Sequence, residues 1–525
     1  MALAATMSRL LLTLLTHILY AIGGLFGSIL LVYIWIRPKH VDSSLPGPKR
    51  HWLLGATFGE SSKMLDGGFG GDKWPTLSVI LSRKYDFQTW GGPSLNLGFG
   101  GAFFNVVTPE CLQYILRDNF DNYQKGKLTK SLRELFGRNV VSTDGDAWKF
   151  HRQIVVASLN HDTVQYSAHV LVEKLEKVER LLDERAESDE TFDFQDLAYR
   201  MILDVFIKIG FGFDLNGTME SDHAVPFVDA FNQMQLLIHE RMNDVLWEIK
   251  QFLVIGEREK RIKYCGRIID DLADEIINAT KSRENQDRPD MVSSYLCYCE
   301  DQGEPTPTNQ EVRDLVIGMV VGGRDTTAAA LSWTMYELTK HPAVLERIRE
   351  EVDQVCRGSQ LSFELVHKLP YTHAVVMEAL RLHPPVPDNY RFAKKDDTLP
   401  DGTHIPAGSL VIYSINTINQ SEKVWKDPDI FNPDRFFDDK MEPSQFKFPT
   451  FNAGPRVCPG KSMSMMELKM CLAYLLPRYD FIDTENHSGE IHWTQVMSMK
   501  GGFNVKVRKR NSLEQSRSRS SVSFI

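Results

Sequence analysis

The run Phe451-Asn452-Ala453-Gly454-Pro455-Arg456-Val457-Cys458-Pro459-Gly460 decides the reading of this chain. A lone cysteine stands between glycines, beside an arginine, and residues 461–476 behind it read as a helix. Glycine lets a backbone approach a large flat ligand closely. A nearby cation and the N–H groups at a helix start stabilise a thiolate. The pattern Phe-x-x-Gly-x-Arg-x-Cys-x-Gly fixes five positions, and a chance match is on the order of one in ten thousand. The competing reading is a buried structural cysteine in a glycine-rich turn.

A thiolate with one open axial partner suits haem iron and pushes electron density towards O–O cleavage. The run resembles the haem-binding loop of the cytochrome P-450 monooxygenases. That resemblance implies a mainly α fold with small β-sheets, a single large haem domain, and haem b as cofactor. It implies Cys458 as the axial iron ligand and Arg456 at a haem propionate. Phe451 would shield the sulfur, while Gly454 and Gly460 would allow the tight loop and the close helix.

Further motifs lie outward from this loop. Gly322-Gly323-Arg324-Asp325-Thr326-Thr327 interrupts an apolar helical run from 315 to 336. Two glycines inside a helix cost about 1 kcal/mol each against alanine, so they call for a reason. The run resembles the family's long helix over the haem. The resemblance implies an oxygen groove at Gly322 and Gly323, Thr326 hydrogen-bonding iron-bound oxygen, and Asp325 relaying protons from solvent. Glu378 and Arg381 share one helix face at i,i+3. With Arg435 in Phe431-Asn-Pro-Asp-Arg-Phe436 they resemble the family's Glu–Arg–Arg structural network. Trp148 and Arg152, at i,i+4, and Arg391 would meet the propionates by the same resemblance.

The whole chain is consistent with this. It has 525 residues, 42% hydrophobic and 25% charged, enough for a deep core around a cofactor. A net charge of −9 argues against a nucleic-acid partner. Seven cysteines, thinly spread, argue against a disulfide-stapled secreted domain. Residues 10–36 carry no formal charge and are long enough to span a bilayer of about 30 Å. Basic residues outnumber those before it on the far side (Arg37, Lys39, Lys49 and Arg50 against Arg9), which places the body in the cytosol. The organisation expected is an anchor at 10–36, a basic and proline-rich hinge at 37–50, a catalytic domain at 51–508 and a disordered Ser/Arg tail at 509–525. Residues 55–101 read as short strands and turns, 145–295 and 308–385 as mostly helical, 286–308 as a loop, and 386–425 as extended.

The family reaction implied is insertion of one oxygen atom from O2, the other leaving as water. About 67 residues follow Cys458, too few for a fused flavin domain. NADPH and flavins therefore enter only through a separate membrane-bound NADPH–cytochrome reductase, with cytochrome b5 as a second donor. Lys125, Lys127, Lys130, Lys149, Lys461 and Lys469 are the expected basic docking face. The expected location is the endoplasmic reticulum membrane, single-pass. The runs 121–126, 209–214, 323–327, 399–402 and 451–456 resemble the plant and fungal fatty-acid ω-hydroxylase group. That implies a fatty acid or alkane hydroxylated at or near its terminal carbon, in a channel lined by Val316, Met319, Val320 and Val386. The alternatives are a monooxygenase of a sterol, terpene or polyketide, and a haem sensor or electron carrier that oxygenates nothing.

Overall fold

The computed structural model describes residues 2–36, 44–48, 72–93, 101–126, 129–212, 214, 226–242, 244, 246–281, 290–437, 442–494 and 496–510. Most of the expected hinge, Lys127, and the Ser/Arg tail beyond residue 510 lie outside the described residues.

The chain begins with one helix, Ala2–Ile36. Its stretch Thr13–Leu31 has a mean hydropathy of 1.9 and no buried share, so by length and composition it can cross a membrane. The body is mainly helical, and the helices start where their caps say they should. Asn160 accepts from the Thr163 N–H at 2.9 Å and opens His161–Ser188. That helix buries Val170, Leu171, Leu175, Val178 and Leu182 on one face, as its spacing predicts. Thr308 and Glu311 form a reciprocal capping box at the start of the central helix. This helix runs Asn309–Val320, widens to a π turn at Val321–Asp325, and continues through Thr326–Lys340. The widened turn carries the glycine pair.

Small sheets flank the helices. The largest has the spatial order Trp90–Pro93, Ala102–Val106, Leu410–Ser414, Asp388–Ala393, Tyr123–Gln124. Ala102–Val106 and Leu410–Ser414 run parallel, and the other pairings are antiparallel. Asn504–Lys509 lies between Phe192–Asp193 and Tyr479–Asp483. A hairpin pairs Ile491–Trp493 with Met497–Met499. The main core gathers around the second half of the central helix, with Trp333, Leu331 and Ala328 fully buried against the helix Lys461–Leu475 and its neighbours.

Two expectations are corrected. Trp74–Lys84 is an eleven-residue helix where strands and turns were expected. Pro75 sits in its first turn, where the missing N–H costs nothing. Met291–Asp301 is a helix inside the expected loop 286–308. Asp290 caps it by accepting from the Ser293 N–H at 2.8 Å, and Met291, Val292, Tyr295 and Cys299 are its buried face.

Candidate active site

The cysteine loop is held rigidly before its helix begins. It passes through tight turns at Pro449–Phe451 and Gly454–Arg456, and the Cys458 N–H donates to the Phe451 carbonyl at 2.8 Å. Gly454 has φ +64°, and a Cβ there would stand 2.1 Å from the Leu116 carbonyl oxygen, so the turn admits no side chain. Gly460 differs: a methyl there would only touch the Cys458 sulfur at 3.8 Å.

Burial pushes the Cys458 thiol up. The N–H groups of Gly460 and Lys461 and the charge of Arg152 oppose this in part.

A cavity of about 1460 Å³, its open mouth included, separates this loop from the central helix. Phe451, Arg456, Cys458 and Gly460 line one side. Gly322, Gly323, Thr326 and Thr327 line the other. A Cβ on Gly323 would overlap the Phe206 ring at 2.0 Å, whereas one on Gly322 would meet nothing within 4 Å. Gly323 therefore serves packing against the helix Phe194–Phe211, and Gly322 leaves open space over the cysteine side. The Thr326 hydroxyl donates to the Gly322 carbonyl at 2.6 Å, which holds it at the cavity wall.

Asp325 does not share that face. It is buried and turned away from the cavity, where Oδ1 accepts from Arg324 at 2.8 Å and Oδ2 from Gln235 at 3.0 Å. Burial raises its carboxyl, and Arg324 and Gln235 counter this in part. Asp325 is enclosed by the helix Pro226–Met242, which supplies Gln235 and the Asn232 that receives Arg324.

Positive charge converges at one edge of the cavity. Arg456 donates to Asp144 at 2.7 Å and to the Thr143 carbonyl at 2.9 Å, and its guanidinium lies 4.5 Å from the Trp148 ring. Burial, then repulsion from Arg391, brings Arg456 down to about 10. Lys125 lines the same cavity and donates to the Asn389 side chain at 2.7 Å. Burial, then Arg391 and Arg456, drive its ammonium well below its ordinary value. Arg391 is wholly buried, and its Nε and Nη2 have no hydrogen-bond partner among the described residues. Asp144 is the one carboxylate bonded to this group among the described residues, and it also accepts from the Lys125 and Gly126 N–H groups. A buried cluster with this excess of cations is completed by an anion. Arg152, on the helix Gly145–Ser158, also lines the cavity and donates to the Val457 carbonyl at 2.5 Å. A flat macrocycle with an acidic edge and a metal facing Cys458 fits this donor set.

Lys125 and Asn389 were not assigned to the site by the sequence reading. The signal available was a lysine between an aromatic and a glycine in Tyr123-Gln-Lys-Gly126. The lysine face is corrected accordingly: Lys125 and Lys469 are buried, the latter donating to the Val366 carbonyl at 2.8 Å. Lys130, Lys149 and Lys461 reach the surface and pair with Glu248, Asp146 and Glu442. The apolar channel is corrected in part. Met319 and Val386 line the large cavity, whereas Val316 and Val320 face a small apolar void against Phe211 and Met291.

Glu378, Arg381 and Arg435 come together away from the cavity. Glu378 accepts from Arg381 Nε at 2.8 Å and Nη2 at 2.9 Å, from Arg435 Nε at 3.0 Å and from the Asn432 N–H at 2.8 Å.

The family model described as cytochrome P-450 matches residues 81–507. Cytochrome P-450 94A2 of Vicia sativa is 33% identical over 445 residues, covering 80% of this chain and 84% of its own. Cytochrome P-450 94B1 of Arabidopsis thaliana is 32% identical over 444 residues, covering 80% and 85%. Cytochrome P-450 704B1 of Arabidopsis thaliana is 28% identical over 518 residues, covering 88% and 98%. With a cysteine presented on helix N–H groups across a cavity from a glycine-widened helix, the chain belongs to the cytochrome P-450 family of haem-thiolate monooxygenases.

Proposed function

We propose that the protein hydroxylates a fatty acid or alkane at or near its terminal carbon, from an endoplasmic reticulum membrane, with electrons from a separate NADPH-dependent reductase and cytochrome b5 as a second donor. The observation that carries the reading is the apolar space left beside the cysteine-facing region. Val155, Phe206, Met319, Ala330, Leu380 and Val386 border it, and the cations of the cavity gather at one edge. An acyl chain gains about 0.8 kcal/mol per methylene buried in such a space. The bound haem supplies the oxygen activation, inserting one atom of O2 into a C–H bond and releasing the other as water.

The chain's residues have separable roles in this reading. Cys458 would ligate the iron, and the Gly460 and Lys461 N–H groups and Arg152 oppose the upward push of burial on its thiol. Arg456, Arg391, Arg152, Lys125 and Trp148 would hold the acidic edge of the macrocycle, and Phe451 would cover the sulfur side. Thr326 Oγ1, whose hydrogen is directed to the Gly322 carbonyl, stands at the cavity wall as an acceptor for a proton on its way into the cavity. Asp325, held by Gln235 and Arg324, is the carboxyl assigned here to proton relay from solvent. The anchor helix and the exposed apolar run Leu246, Ile249, Phe252, Leu253 and Ile255 both suit a substrate taken from a bilayer.

The test is a titration of the ferric holoenzyme with fatty acids of increasing length, followed at the haem absorption band. A saturable blue shift at one length supports the acyl reading, and that acid is then assayed with reductase. Intact thiolate-haem absorption with neither shift nor product for any acid moves the assignment to a sterol, terpene or polyketide. Thr326→Ala is expected to keep consuming oxygen while product falls about 10²-fold and peroxide rises. Unchanged product per oxygen removes the role given to Thr326.

A further inference from the structure

Behind the cavity wall lies a cluster that the chemistry above does not use. After the Glu–Arg helix the chain reads His383-Pro384-Pro385-Val386-Pro387. Proline has no N–H, so three of these five residues cannot anchor the segment by donating a backbone hydrogen bond. Yet Pro385 and Val386 form part of the cavity wall, and its shape depends on their position.

The segment is held from outside. The His383 imidazole stacks on the Trp333 indole, with centroids 4.2 Å apart and planes 4° from parallel. His383 Nε2 stands 2.6 Å from Glu337 Oε1. Burial pushes the Glu337 carboxyl up, but the His383 hydrogen bond and the charges of His383, His341 and Lys340 outweigh it and hold the group below its ordinary value. An ionised carboxylate only accepts, so Nε2 carries the proton in this contact.

Trp333, fully buried on the central helix, donates Nε1–H to the Met497 carbonyl at 3.0 Å. The Met497 N–H in turn donates to the Pro385 carbonyl at 2.7 Å. His383, Trp333, Met497 and Pro385 thus close a ring of contacts over three chain segments. The same hairpin carries Trp493, whose ring meets His239 of the helix Pro226–Met242 edge-on at 5.3 Å.

We infer that His383, docked on Trp333 and Glu337, is a positioning residue that sets the Pro385–Val386 wall and thereby the chain length and attack position the cavity selects. The inference deepens the monooxygenase reading and rests on haem occupying the cavity, but not on the substrate being a fatty acid. His383 touches no cavity space itself and acts through the two residues that follow it.

The experiment is a titration of the ferric holoenzyme with N-alkylimidazoles from ethyl to dodecyl. The ring nitrogen binds the iron and the tail samples the wall, so no natural substrate is needed. Wild type is expected to show an optimum tail length. His383→Ala is expected to shift or flatten that optimum by about tenfold in affinity, the scale of a one-methylene misfit, while imidazole itself binds as in wild type. The double variant with Glu337→Leu is expected to be no worse than either single variant, because Glu337 acts through its contact with His383. If His383→Ala does not accumulate, His383→Gln and Glu337→Leu are read in the same way. A wild-type length profile in these variants, or strictly additive losses, overturns the inference. Absence of any azole spectrum in the wild type would instead count against the haem reading, so the two failures are distinct.

Discussion

Arg381 and Arg391 stand ten residues apart, each with no exposed surface, and they are completed in opposite ways. Arg381 directs Nε and Nη2 to Glu378, Nη1 to the Asn419 and Pro428 carbonyls at 2.7 Å each, and Nη2 also to Ile430 at 3.2 Å. Glu378 is shared with Arg435, so the charges and donors are matched within the chain. Among the described residues Arg391 donates Nη1 alone, to the Tyr390 carbonyl at 2.7 Å, and faces Lys125 and Arg456 rather than a carboxylate. The first arrangement is architecture, complete on its own. The second raises the energy of the protein alone and would be relieved by an anionic ligand. Buried charge therefore has to be read with its partners, because the same residue at the same burial can serve folding or binding.

The largest expected effect breaks the complete side. Glu378→Ala leaves two arginines unmatched, and losing one partner of a buried pair costs about 3–5 kcal/mol. Against a total stability of about 5–15 kcal/mol, this should abolish soluble haem-loaded protein. Normal yield with a wild-type unfolding midpoint would show that the carbonyls alone suffice for Arg381 and Arg435.

A smaller and opposite effect is expected on the incomplete side. Arg391→Met removes an unmatched charge at similar volume, so the haem-free protein should be at least as stable as wild type. Haem transfer to an apo-globin acceptor should quicken about 10- to 150-fold, the worth of one charge-assisted hydrogen bond of about 1.5–3 kcal/mol. Transfer at the wild-type rate would exclude Arg391 from holding the macrocycle.

Glu467 sharpens the comparison from a third direction. It lies wholly buried on the helix behind Cys458, with neither carboxyl oxygen hydrogen-bonded among the described residues. Burial raises it from 4.5 to about 8. A carboxyl raised on folding binds more protons folded than unfolded between those values, so stability is full below pH 4.5 and falls as pH rises through about 8. Glu467→Gln should remove this loss, its unfolding midpoint drifting less than wild type from pH 6 to 9. Parallel drifts in the two proteins would show that Glu467 ionises freely in the folded state.

The motifs legible in the sequence are those whose geometry is local. The cysteine loop is a set of turns within ten residues, and its Gly454 is required by a φ of +64°. Glu378 and Arg381 meet because i and i+3 share a helix face. The apolar face of His161–Ser188 and the N-terminal apolar helix follow from periodicity and length alone. The helix Met291–Asp301 was missed because polar and turn-forming neighbours masked a short buried face.

Tertiary structure decided what each side chain of those motifs confronts. Asp325 and Thr326 are adjacent in sequence and so point about 100° apart around a helix. Only the packing of Pro226–Met242, which brings Gln235 and Asn232 to one side, settles that Thr326 meets the cavity and Asp325 does not. Lys125 looked like a surface charge and became a buried partner of Asn389, 264 residues away. The wall segment after His383 is similar: its prolines are plain in the sequence, but the residues that hold it come from the central helix and a C-terminal hairpin. Spacing along a chain specifies turns and helix faces because those depend on neighbours a few residues apart. Which face becomes wall, core or surface depends on contacts hundreds of residues apart, and the folded chain alone supplies them.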